Sequence, residues 1–332
     1  MTDAPTTASI NISLADFDGD EDEITRGALT VMLNHGGLAR TLVDGVLELV
    51  RDHTLWRLTI SGNMGHTVDT LTNRGADNPF TTARGAGHVG GITLTRDDGT
   101  FDIVISGNTL VATREGVGSP EALLEHTLRN AAHLARHEAG HAALALRGED
   151  SASYRDVTGL TPTDDAHRPH LALHIEDHRI ERYTAVHAPS PFKHAEHLTD
   201  AIAHLRRELN YSKQHWHDNI DAAAFRTMDA ANGLVRVLAY LSAELGLETP
   251  RRPNRPDPLP EGWNDYVEES WDAWSLTFHR LRPVDEPMQT AELRAILADL
   301  SRLNTAWLTS IGINYGIDDQ DREFIAWERD HY

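Results

Sequence analysis

Hydrophobic and polar positions alternate along Ser9-Ile10-Asn11-Ile12-Ser13-Leu14 and again along Leu55-Trp56-Arg57-Leu58-Thr59-Ile60. A period of two is that of a half-buried strand. Between these segments, Leu29, Met32, Leu33, Leu42, Val46, Leu49 and Val50 mark the apolar face of a helix over 25–51, broken at Gly36-Gly37. Residues 66–72 suggest another strand, and the Gly- and Asn-rich stretch 73–88 a loop. Ile92–Arg96 and Phe101–Ile105 flank Asp97-Asp98-Gly99, the pattern of a hairpin. Residues 1–8 read as disordered. Asp16–Glu23 reads as a solvated acidic loop, not a calcium loop, because its glycine is misplaced and no acid stands twelfth.

From Ser119 the pattern turns helical. Ser119 can cap, Pro120 suits the first position, and Glu121 favours the positive end of a helix that runs to about Arg147 and stops at Gly148. After a polar loop over 148–168, further helices are expected over 169–186, 195–210, 217–246, 263–281 and 288–309. The proline- and arginine-rich run Thr249–Pro260 reads as a stiff connector. Trp271, Trp274 and Phe278 recur at helical spacing, which suits core packing; with Trp263, Trp307 and Trp327, a partner-binding or self-associating face is the alternative. The expected class is α+β. Residues 1–115 form a sheet portion, 116–248 the helical portion of the same domain, and 261–332 a helical extension beyond the connector.

Composition narrows the function. The formal net charge is -21, and Lys193 and Lys213 are the only lysines. Such a balance argues against nucleic-acid binding, which needs basic surface. No stretch approaches the roughly 18 apolar residues of a membrane span, and the first residues carry no secretory pattern, so a cytoplasmic location is expected. Without cysteine, any metal must be held by His, Asp or Glu.

The chemistry concentrates in His137-Glu138-Ala139-Gly140-His141. Residues i and i+4 share a helix face, so both histidines can hold one zinc ion. Glu138, one residue on, can reach a metal-activated water and act as general base. His133 extends the stripe by a turn. It can serve as a ligand if the ion sits one turn earlier, or as a supporting or surface histidine.

Strands, then an H-E-x-x-H helix, then a helix bearing an acid: over roughly 90–186 the order resembles the zincin metallopeptidases, and among them the gluzincins. The resemblance implies a zincin-like domain with a small sheet packed on the motif helix, Zn2+ as cofactor, and a peptide or protein substrate. It also implies substrate bound as an added strand along a sheet edge, which one strand of the hairpin 92–105 can supply; an interior hairpin is the other reading. The third ligand is sought in His174-Ile175-Glu176-Asp177-His178-Arg179-Ile180-Glu181-Arg182, which resembles an E-D-x-R-I-E pattern of some bacterial zincin-like proteins. Glu176 is the first choice. Asp177, with Glu181 four residues on, is the next. The motif also resembles that of membrane-bound AAA proteases, whose third ligand is a more distant aspartate; Asp200 would fill that place, but the phosphate-binding loop and the anchor are missing. Tyr183, Tyr211, His215 and His217 are open candidates for an oxyanion-stabilising group. A binding or regulatory module with an inactive or structural zinc site is the alternative to a peptidase.

Overall fold

The computed structural model describes residues 12–111, 119–318 and 320–332. The disordered segment expected over 1–8 and the first residues of the expected strand 9–14 lie outside them. Contacts divide the chain into two compact units, Met1–Thr82 with Val89–Ala143, and Ala83–His88 with Leu144–Tyr332.

The first unit opens with strand β1 (Ile12–Ala15), helices α1 (Asp20–His35) and α2 (Leu38–Leu49), strand β2 (Trp56–Ser61) and helix α3 (Met64–Thr72). Two short strands, β3 (Ala83–Arg84) and β4 (Gly87–His88), pair as a ribbon counted with the second unit. The first unit resumes with β5 (Gly91–Thr95), β6 (Phe101–Ser106), α4 (Gly107–Val111) and α5 (Pro120–Leu146). The sheet order is β1-β2-β6-β5, with β1, β2 and β6 parallel and β5 antiparallel to β6. Phe101–Ile105 is buried throughout, as suits an inner strand covered on both faces. On one face Val104 packs with Met64, Val68 and Phe80, and Ile92 and Leu94 lie against them.

Local chemistry explains most of these elements. The hairpin β5–β6 closes by Arg96 N–H donating to the Thr100 carbonyl, with Gly99 at φ +80°. The α1–α2 break falls at Gly36-Gly37 as expected, and Gly37 takes φ +79°. Residues 66–72 are helical rather than extended. The Asn63 side chain caps α3 by accepting the His66 N–H, and Met64, Thr67 and Val68 are buried at helical spacing. The acidic stretch is also shorter as a loop than expected, because α1 begins at Asp20, where acids suit the positive helix end. Ser119 caps α5 as anticipated, its hydroxyl accepting the Ala122 N–H.

The second unit continues with α6 (Ser151–Tyr154), α7 (Pro162–His187), α8 (His194–His215), α9 (Ile220–Leu245), the ribbon β7 (Leu247–Thr249) and β8 (Arg252–Pro253), and α10 (Trp263–Tyr266). It ends with α11 (Glu268–Phe278), α12 (Thr290–Ser310), β9 (Ile313–Ile317) and β10 (Glu323–Trp327). α7 begins seven residues before the expected 169. Thr161 caps it, Pro162 takes its first turn, and Pro169 lies inside it. The run 249–260 is not a spacer. It folds partly as a ribbon, Pro253 and Pro256 are buried, and the Trp271 indole donates to the Asn254 carbonyl at 3.0 Å. One core joins Leu171 and Ile175 of α7, Leu205 of α8, Leu234 of α9, Trp274 of α11 and Trp307 of α12. Residues 261–332 therefore share a core with 144–248, and the unit boundary falls inside α5 rather than at the prolines. Trp263, Trp271, Trp274 and Trp307 are buried in that core, so they present no free face. Among the described residues, no helix is long and apolar enough to cross a membrane.

Candidate functional site

In the first unit, α5 carries His133, His137 and His141 as one stripe. The ring centroids are 6.0 Å apart for His133–His137 and 5.2 Å for His137–His141. His133 is buried, and His137 and His141 are half-buried. Rings that follow one another along one helix face at this spacing can direct nitrogens to a common point.

Glu138 sits between them in sequence and is 3% exposed. A buried carboxylate must have polar partners. The Thr93 hydroxyl of β5 supplies one, lying 2.8 Å from the Glu138 carbonyl oxygen and 3.0 Å from its carboxylate Oε2. β5 is a terminal strand of the four-stranded sheet, so the motif helix packs on a sheet edge. Gly91 makes this approach possible. A Cβ there would stand 2.5 Å from Glu138 Oε1 and 2.8 Å from its Cγ. Gly91→Ala is expected to displace the carboxylate and lower stability by about 1–3 kcal/mol, as overpacking does; the check is a lower urea midpoint. Nothing in the sequence marks Thr93, whose contact with Glu138 spans 45 positions. The pair Gly90-Gly91 at the strand entrance is the only local hint of a close approach.

In the second unit, α7 distributes its acids over different faces. Glu176 is buried, and its carboxylate accepts the Ser151 backbone N–H at the start of α6. Beneath it, the Tyr154 hydroxyl donates to the Ala172 carbonyl at 2.7 Å. Burial, with the Glu176 charge second, pushes that phenol well above its ordinary range. Asp177 and Glu181 stand four residues apart and share a face turned away from Glu176. His194 Nε2 lies 3.7 Å from Glu181 Oε2. His174 is fixed near this face, its Nε2 2.7 Å from Asn232 Oδ1. The Asn232 amide oxygen can only accept, so His174 carries its proton on Nε2. Burial lowers the His174 pKa to about 4, so the ring is neutral at pH 7.

The remaining candidates are also in the second unit. Asp200 is exposed on α8. Tyr183 is buried and stacks on His187 at 4.0 Å. Tyr211 is exposed beneath the Arg226 guanidinium, His215 lies 3.4 Å from Asp218 Oδ2, and His217 is exposed against Trp216.

Comparison with protein-family models, with curated proteins and with solved structures finds no match.

Proposed function

We propose that the chain is a zinc-dependent metallopeptidase of the zincin class. The observation that carries this reading is the α5 stripe. It has two metal-ready histidines one turn apart and a buried glutamate beside the first, held against a sheet edge by Thr93.

His137 and His141 would hold the ion. The sequence offers the α7 acids Glu176 and Asp177 for the third ligand. Glu176, the first choice from the sequence, has a carboxylate already engaged by the Ser151 N–H. A donor set of two imidazoles and one carboxylate suits zinc with one place left open. Bound there, zinc supplies Lewis acidity and lowers the pKa of water toward about 7.

The chain's own residues do the rest. Glu138 takes the proton of the attacking water and returns it to the leaving amine. Thr93 keeps the carboxylate oriented while the proton moves. β5, a terminal strand, offers backbone groups to an extended peptide.

Metal analysis tests this reading. The purified chain, given zinc, is expected to hold one ion, and His141→Ala to lose it. A chelator is expected to abolish peptide hydrolysis, and added zinc to restore it. If the chain binds no zinc, or if hydrolysis survives the chelator, the reading fails. Zinc retained with no hydrolysis of any peptide library would replace it with a binding module built around a structural ion.

A further inference from the structure

A second concave site lies wholly within the second unit. A cavity of about 350 Å³ opens between the first turns of α7 and of α9, closed by α12 and the β9–β10 hairpin. That volume falls in the range of small-molecule sites.

Its chemistry is uneven from mouth to floor. Asp221, Asp229 and Glu323 line it at exposed positions, and among the described residues no lysine or arginine lines it. Phe225, an aromatic ring 73% exposed on α9, stands at the same rim. Deeper in, Leu171 and Ala231 are buried and Met228 half-buried, which makes apolar wall. At the floor is His167, 5% exposed, with its Nε2 buried and without a hydrogen-bond partner. Tyr315 packs on that ring at 5.5 Å, and the Tyr315 hydroxyl is itself spent on Glu323 Oε1 at 3.2 Å.

An orphaned buried imidazole nitrogen costs free energy unless something fills it. Burial lowers the His167 pKa to about 4, so at pH 7 the ring is neutral, and its unpartnered Nε2 donates or accepts according to the tautomer. A ligand that suits the whole cavity brings a hydrogen-bonding group for the floor, a short apolar stem for the wall, and positive charge with N–H donors for the carboxylates of the rim. Aromatic and carboxylate groups together favour a cation over a neutral isostere.

We propose that this cavity binds a small organic cation with N–H donors, an alkylguanidinium or alkylammonium. Such a group is also the side chain of a basic residue, so free ligand and peptide share one chemistry.

Titration calorimetry on the full chain tests it with n-butylguanidinium and its neutral isostere N-butylurea. The expected result is saturable binding of the guanidinium, at least tenfold weaker binding of the urea, and at least tenfold loss in Asp229→Asn. Phe225→Ala, a change at an exposed position, is expected to weaken binding severalfold and guards against misfolding of the first variant. An arginine-containing peptide competing with n-butylguanidinium would identify a peptide side chain as the source; competition only by free guanidines would identify a small metabolite. Equal binding of the urea, unchanged binding in both variants, or no saturation in the millimolar range would overturn the proposal. None of these readouts depends on zinc, so the proposal fails or stands apart from the metallopeptidase reading.

Discussion

Glu138→Gln is expected to lower kcat/KM for peptide hydrolysis at least 100-fold and to leave zinc bound. General acid–base groups contribute roughly 10²–10⁴-fold, or about 3–5 kcal/mol of barrier. Glutamine has the same shape, and its amide oxygen still accepts from the Thr93 hydroxyl that now lies 3.0 Å from Oε2. The change therefore removes the proton acceptor and little else. Folding stability should move by less than about 1.5 kcal/mol, since volume is conserved. The three measurements are kcat/KM, zinc per chain and the thermal midpoint. A variant within tenfold of the wild type would assign the base elsewhere. Thr93→Val makes a useful companion. It keeps the shape of the strand and leaves the carboxylate without this donor, so a drop in kcat with unchanged zinc and KM would mark Thr93 as a positioning residue.

Local signals were the legible part of this chain. The alternation over 55–60 and the hairpin around Asp97-Asp98-Gly99 lead to strands where strands are found. The Ser119-Pro120-Glu121 start and the Gly36-Gly37 break likewise sit where caps and glycines must sit. The stripe His133, His137 and His141 follows from helical period alone. Part of what escaped was decided at long range. The run 249–260 looked like a spacer because prolines are usually solvated. Here the Trp271 indole needs the Asn254 carbonyl, and that contact folds the run into a core. The strand expected over 66–72 gave way to a cap, Asn63, that a period count does not weigh. β9 and β10 carry mixed patterns, and their pairing Ile313–Trp327 to Ile317–Glu323 supplies the order that propensity lacks. Glu176 is an acid on an apolar helix face, which needs a partner, and the Ser151 N–H is one such partner.

Arg179→Met is expected to destabilise the chain by about 3–5 kcal/mol, the cost of breaking a buried ion pair from one side. Arg179 is 0% exposed. Its Nη2 donates to Glu149 Oε2 at 2.7 Å and to the Glu286 carbonyl at 2.8 Å, and its Nε to the Arg282 carbonyl at 3.1 Å. The Arg179 carbonyl in turn accepts the Val284 N–H at 3.0 Å. One side chain thus ties α7 to the segment between α11 and α12. Methionine fills similar volume but strands two carbonyls and half of a carboxylate. Glu149 would keep Arg147, whose Nε lies 3.0 Å from Oε1, so its charge is not wholly uncompensated. That residual pairing sets the effect near the lower end of the range. The pH dependence has a definite sign. Burial pushes the Glu149 carboxyl up, but bonds from Arg147 and Arg179 outweigh it and hold the carboxyl below its ordinary value. A depressed folded pKa contributes stability above the unfolded value and loses it as pH falls through the folded one. Removing Arg179 relaxes the depression, so the gap between wild type and variant should be full at pH 7 and narrow below about pH 4. The double change Arg179→Met with Glu149→Gln should recover part of the loss, because the stranded charge goes with its partner. Urea midpoints at pH 7 and pH 4 decide it. A single variant as stable as the wild type at pH 7 would show that Arg179 is tolerated in the core rather than needed there.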